Sequence, residues 1–238
     1  MDTATPDAQQ RVRFKQQAAE HAVSFVESGM VVGLGAGTTA AFALRRLAQL
    51  LRDGQLREVV GIPCSNEVEA TARRLAIPLT TLNEQPVIDL TIDGADEVDP
   101  ELNLIKGGGG ALLREKIVAQ ASRREIIVVD EEKLSPMLGT QWAVPVEVVE
   151  FGWRAQARRL ESLGAQVTRR VGDNGAPFTT DQGNFILDCA FGPIAQPSEL
   201  ATAICAGAGV VEHGLFLGLA TDVIVTGKAS MRHLRRPE

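Results

Sequence analysis

Apolar residues along this chain recur with two different periods. Phe14, Ala18, Ala22 and Phe25 fall three or four apart, which predicts one face of a helix, and Gly29 follows as a stop. The short run MVVGLG predicts a buried strand. In TTAAFALRRLAQLLRDG, Leu44, Leu47 and Leu51 share a face and Gly54 ends the helix. EVVGIP predicts a second strand, and SNEVEATARRLAI a helix with Ser65 as its N-cap. PLTTL, VIDLTIDG and LNLI read as strands, GALLREKIVAQAS as a helix, and EIIVVD as a buried strand. Strands that alternate with helices imply a mostly parallel sheet covered on both faces.

The pattern changes near residue 140. VPVEVVEF, AQVTRRV, NFILDCAF and VVEHGLFLG predict strands, with helices at GWRAQARRLESLG and QPSELATAICAGAG. That order, β-α-β-β-α-β, is the order of a ferredoxin-like split unit. TDVIVTG then returns to a strand. The expected fold class is α/β. A Rossmann-like, mostly parallel sheet with helices on both faces is expected from residues 1–139 and 220–238. A smaller ferredoxin-like α+β domain, residues 140–219, is inserted before the last strand. The terminal RHLRRPE reads as a short solvated tail.

Composition narrows the class. The chain has 238 residues, 45% of them hydrophobic and 23% charged, which fits a soluble globular protein. A net charge of −6 speaks against a nucleic-acid partner. No apolar run approaches the ~18 residues of a membrane span, and the polar start MDTATPDAQQR is unlike a signal peptide. Cys64, Cys189 and Cys205 are scattered, with no CxxC, so neither a disulfide framework nor a zinc site is indicated, and a cytoplasmic location is expected. His21, His213 and His233 are equally scattered and read as surface or structural residues.

Four unusual loops follow predicted strands: GAGTT, DGADEVDP, KGGGG and DEEK. Ligands of open parallel sheets bind at the carboxyl ends of strands, so these loops are a candidate site. GLGAGTTA lacks a dinucleotide fingerprint, because Thr38 stands where the third glycine belongs, and no GK[ST] follows for a P-loop. It remains a tight turn opening a helix, suited to a phosphate, or simply a threonine-capped turn. Asp93, Asp96 and Asp99 either hold a divalent metal, together with further ligands from elsewhere, or form an acidic turn that bonds its own backbone. Asp93 follows the apolar LTI, where a bare carboxylate is costly without a partner.

Gly107–Gly110 offer backbone amides that can approach an anion closely, with Lys106 beside them. Glu115 lies on the following helix among Ala111, Leu112, Val118 and Ala119. A carboxylate on such a face should be desolvated and disposed to act as a general base. A salt-bridged surface glutamate is the plainer reading, and Arg114 has equally apolar neighbours.

Taken together, GLGAGTTA, GIPCS, DGADEVD, KGGGGAL, the following REK and VVDEEK resemble the A-type ribose-5-phosphate isomerases, in family order from about residue 30 to 135. The resemblance implies substrate contacts at Ala36, Gly37, Thr38 and Thr39. It also implies them at Asp93, Gly94, Ala95 and Asp96, at Lys106, Gly107, Gly108 and Gly109, and at Lys133. Ala36 departs from the family, which often has a hydroxyl residue there, so only its backbone can contribute. Lys15 on the first helix is a further candidate for a phosphate contact. Glu115 falls at the family's proton-transfer base, with Lys106, Asp93 and Asp96 as the other catalytic candidates.

The resemblance implies interconversion of D-ribose 5-phosphate and D-ribulose 5-phosphate through an enediolate, in the non-oxidative pentose phosphate pathway. No electron leaves the substrate, so no cofactor and no metal are expected. The expected partners are a sugar phosphate and a second copy in a homodimer, with no nucleic acid and no membrane. Two rival readings stay open from residues alone. One is a coenzyme A transferase, which can also use a glutamate. The other is a non-catalytic sugar-phosphate sensor, for which a complete acid–base set would be surplus.

Overall fold

The computed structural model describes residues 6–227 and 231–237, the side chains of 6–9 and 11 excepted. The polar N-terminal segment read above therefore lies partly outside the described residues. In chain order the elements begin with α1 (Pro6–Val23), β1 (Val31–Leu34), α2 (Ala40–Arg52), β2 (Val60–Pro63), α3 (Asn66–Arg74), β3 (Leu90–Asp93), β4 (Glu97–Val98), β5 (Leu104–Ile105), α4 (Leu112–Gln120) and β6 (Glu125–Asp130). They continue with β7 (Val144–Val148), α5 (Trp153–Ser162), β8 (Gln166–Arg169), β9 (Phe185–Ala190), α6 (Pro197–Cys205), β10 (Val210–His213), β11 (Leu215–Phe216), β12 (Asp222–Thr226) and β13 (Met231–Arg235).

The chain divides into two units, one of residues 1–94, 117–133 and 219–238 and one of residues 95–116 and 134–218. The expectation drawn from periodicity put one cut at 139/140. The observed cut lies at Lys133/Leu134, and residues 95–116 group with the second unit.

In the first unit a six-stranded sheet runs β13-β12-β6-β3-β1-β2. All its pairs are parallel except β12 with β13. The α/β class read from the alternation is what forms. Val32 and Leu34 face Val23 of α1 and Ala43, Leu44 and Leu47 of α2. The opposite face at Gly33 is covered by Val118, whose methyl lies 2.9 Å from where a Cβ would stand. Burial on both faces explains why β3 and β6 read as continuous apolar runs. Ser65 caps α3, accepting the Val68 amide at 3.1 Å. Chain order reverses at β1, which pairs with β2 on one side and β3 on the other, so the crevice expected for a ligand opens beyond Leu34 and Asp93.

In the second unit a four-stranded antiparallel sheet runs β10-β7-β9-β8, the fourth-first-third-second order of a ferredoxin-like unit. Val144, Val146, Val148 and Leu187 join Leu160 of α5 and Ile204 of α6 in one core. A small sheet, β11-β5-β4, is built beside it in the same unit.

Four expectations need correction. The terminal RHLRR is not a solvated tail: residues 231–235 form β13, so two strands rather than one follow the inserted unit. Arg232 and Arg235 lie on that edge strand, where charge discourages further pairing, and His233 bonds Asp222 of β12 at 2.7 Å. PLTTL forms only a bridge between Leu79 and Gly61. VVEHGLFLG is two strands, broken at Gly214. A Cβ there would lie 2.3 Å from the Lys106 carbonyl oxygen, and the residue donates its amide to the Pro145 carbonyl while its own carbonyl accepts the Lys106 amide. Finally, LNLI does not belong to the parallel sheet. Its β5 pairs antiparallel with β4 and β11, so KGGGG is not a loop of the parallel edge.

Candidate functional site

The first unit carries Ala36, Gly37, Thr38, Thr39, Asp93, Gly94 and Lys133. Asp93 ends β3 and is 1% exposed. Its Oδ1 accepts the amides of Ala36 at 3.0 Å and Gly94 at 2.7 Å, so the loop after β1 is fastened to the loop after β3 at the switch point. This is the partner that the apolar setting of Asp93 required. Gly35 makes the approach possible: a Cβ there would stand 2.4 Å from the Asp93 carboxyl carbon. Gly37 is exposed with φ of +98°, and Thr38 beside it is also exposed. Thr39 is the buried N-cap residue of α2, yet its hydroxyl makes no capping bond. Lys15 of α1 donates from Nζ to the Thr38 hydroxyl at 3.1 Å. An ammonium, two hydroxyls and the N-terminus of a 13-residue helix thus meet at one turn, a setting that favours a phosphate. Lys133 closes a short 3-10 turn, Glu131–Lys133, directly after β6, and is half-buried.

The second unit carries Ala95, Asp96, Lys106, Gly107, Gly108, Gly109 and Glu115. Lys106 follows β5, and Glu115 lies in the first turn of α4. Their charged atoms are 3.3 Å apart, with side chains only 3% and 7% exposed. Burial alone would disfavour the Glu115 carboxylate, whereas the ammonium favours it. The plainer surface reading therefore fails for Glu115 and holds for its neighbour: Arg114, half-buried, pairs with Asp181 at 3.7 Å.

The glycines differ in purpose. Gly107 and Gly110 have φ of +98° and +83°, and a Cβ on Gly110 would collide with the Phe178 ring at 2.4 Å. Gly108 donates its amide to Asp96 Oδ2 at 2.7 Å, and a Cβ there would meet the same carboxylate. At Gly109 nothing lies within 4 Å of the Cβ position. The amide of Gly108 is thus already engaged, while Gly109 faces open space.

Three charged groups of the second unit were not singled out from the sequence. Glu97, fully buried, accepts the amides of Gly139, Thr140, Gln141 and Trp142 and ties that loop to β4. Lys116, next to Glu115, donates to Glu212 at 2.6 Å and to the His213 carbonyl at 2.5 Å. Burial lowers the pKa of Lys116 against the opposing pull of Glu212, and His213 is pushed down to about 4 by burial and by the Lys116 charge. Arg170 pairs with Asp188 and reaches the carbonyls of Gly107 and Gly108. The available signal was indirect: Asp188, the partner of Arg170, is a charged residue inside the apolar run FILDCA. Cys205, Glu212 and His213 place possible metal-ligand atoms within 4.8 Å of one another, but the Lys116 ammonium already supplies a cation there.

Comparison with known proteins agrees with the motifs. The family model for ribose 5-phosphate isomerase A (phosphoriboisomerase A) matches residues 60–230. Ribose-5-phosphate isomerase A of Chloroflexus aurantiacus is 59% identical over 220 residues, covering 92% of each chain. That of Desulfatibacillum aliphaticivorans is 57% identical over 221 residues, covering 93% of this chain and 96% of its own. Among solved structures, ribose 5-phosphate isomerase from Plasmodium falciparum superposes with a TM-score of 0.92 at 40% identity, over 95% of this chain and 100% of its own. A D-ribose-5-phosphate isomerase in complex with phospho-erythronic acid also gives 0.92, at 39% identity over 94% and 98%. The chain belongs to the ribose 5-phosphate isomerase A family.

Proposed function

We propose that this chain interconverts D-ribose 5-phosphate and D-ribulose 5-phosphate, with Glu115 moving the proton. The observation that carries the assignment is the buried pair of Glu115 and Lys106, 3.3 Å apart, beside a run of side-chain-free amides. Glu115, ionised, takes the proton from C2 of the open-chain aldose, and the electron pair shifts onto O1. The O2 hydroxyl proton passes to O1, and Glu115 returns its proton to C1, leaving the carbonyl at C2. Every atom and electron stays with the substrate, so the chemistry calls for neither a metal nor an organic cofactor.

The intermediate carries negative charge on O1 and O2. Lys106 and the Gly109 amide supply positive charge for it, and donors of this kind are each worth roughly 10²–10³ in rate. Asp93 and Asp96 accept sugar hydroxyls and assist ring opening. Thr38, Thr39, Lys15 and Lys133 receive the phosphate, with the backbone of Ala36 and Gly37. The inserted residues 140–219 serve as lid and dimer contact, and the enzyme works as a cytoplasmic homodimer. Among the described residues no helix is long and apolar enough to cross a membrane.

A coupled assay for ribulose 5-phosphate, run with and without chelator, tests the reading. Formation at equal rate in both arms is expected. No formation from ribose 5-phosphate overturns the activity, and loss of activity with chelator overturns the metal-free chemistry.

A further inference from the structure

Arg170 directly follows β8, and no role in the reaction attaches to it so far. Its guanidinium meets Asp188 fork to fork: Nε donates to Oδ2 at 3.0 Å, and Nη2 donates to Oδ1. Nη1 is left over and donates to two carbonyls of the glycine run, Gly107 at 2.8 Å and Gly108 at 3.0 Å. The Arg170 side chain is 14% exposed and lies 5.8 Å from the centroid of the Phe178 ring, the ring that abuts Gly110. Four of the five N–H donors of the fork are therefore spent on one acceptor residue and one loop, an arrangement lysine cannot copy.

A trans peptide unit points its C=O and its N–H in opposite directions. Holding the carbonyls of Gly107 and Gly108 on one nitrogen turns the amides of Gly108 and Gly109 away from Arg170. The Gly108 amide ends on Asp96 Oδ2, and Gly109 borders open space. A cation on the carbonyl side also polarises those peptide groups, making their N–H groups stronger donors. Glycine alone has no preference for this arrangement, because the backbone freedom that lets four glycines adopt it equally lets them leave it.

We propose that Arg170, held by Asp188, is a positioning residue that sets the glycine-run amides toward the charge developing on the substrate. The inference rests on the isomerase reading given above. It makes Arg170 act through the loop rather than on the sugar, so its effect belongs to the transition state.

The test compares Arg170→Met, Arg170→Lys and Asp188→Asn with the unaltered enzyme. For Arg170→Met, kcat should fall about 10- to 100-fold, the size expected when a catalytic group is misplaced by about 1 Å. KM should stay within about threefold. Phospho-erythronic acid, whose carboxylate mimics the enediolate, should lose affinity in step with kcat/KM. Arg170→Lys keeps the charge and should recover only a small part, and Asp188→Asn should fall between. The lysine and asparagine variants keep the question answerable if Arg170→Met does not fold. Unchanged kcat in all folded variants overturns the inference, as does an equal loss of affinity for phospho-erythronic acid and substrate. A Glu115→Gln control separates the two readings: an active control sinks the isomerase mechanism, whereas an inactive control with fully active Arg170 variants sinks only the role of Arg170.

Discussion

The Lys106 ammonium stands 3.3 Å from the Glu115 carboxylate, and both side chains are almost completely shielded from solvent. Such a pair places a positive charge directly against the candidate base. Replacing Lys106 with Met tests what that charge does. Loss of the charge facing the enediolate should lower kcat by roughly 10²–10³ with a smaller change in KM. A tenfold rise in KM at unchanged kcat would make Lys106 a binding residue only.

Gly35 and Gly109 predict opposite outcomes for the same substitution. A Cβ on Gly35 would stand 2.4 Å from the Asp93 carboxyl carbon and 2.5 Å from its Cα. Gly35→Ala should cost about 1–3 kcal/mol in urea unfolding, since neither backbone nor buried carboxylate can yield freely. A Cβ on Gly109 meets nothing. Gly109→Ala should unfold like the unaltered chain, within about 0.5 kcal/mol, while losing activity because the methyl obstructs approach to the amide.

Acid should destabilise the fold in two separate windows. His213 is pushed from 6.5 down to about 4 by burial and the Lys116 charge. Its unfolded form binds a proton first, so stability falls as pH drops from about 6.5 to about 4. Burial pushes Asp222 upward, but bonds from Arg124, Thr221 and His233, with the Arg124 charge, outweigh it and hold the carboxyl well below its ordinary 3.8. Its contribution is complete above that value and is lost as pH falls through the lower folded one. His213→Gln should flatten the upper window of a stability–pH curve, and Asp222→Asn the lower one. Asp222→Asn should also cost at least about 1.5 kcal/mol at pH 7, because it weakens several bonds to one charge. Unchanged slopes in these variants would contradict the assignments.

Local patterns made much of this protein legible. Helical spacing located α1 to α6, and continuous apolar runs located β3, β6 and β12, because each of those signals depends only on neighbours in the chain. What pattern could not show was partnership. LNLI has the composition of a parallel strand, yet pairs antiparallel with β4 and β11, a choice made by Gly214 passing against Lys106. RHLRR looks like a solvated tail, yet Asp222 and the free edge of β12 recruit it as a strand. At the candidate site, Glu115 and Asp93 were marked by charge in an apolar setting, and Lys106 by its place beside the glycine run. Arg170 carried no such mark, since its meaning comes from two carbonyls more than sixty residues away in the chain.

The central claim is that Glu115 carries the proton between C2 and C1, and Glu115→Gln tests it most directly. The amide keeps the size of the side chain and cannot take up a proton. In deuterated water the variant should lose roughly 10²–10⁴ in both isomerisation and deuterium incorporation. Its affinity for ribose 5-phosphate should remain within a few fold. A variant that binds the sugar phosphate and still turns over at near-normal kcat would contradict the account.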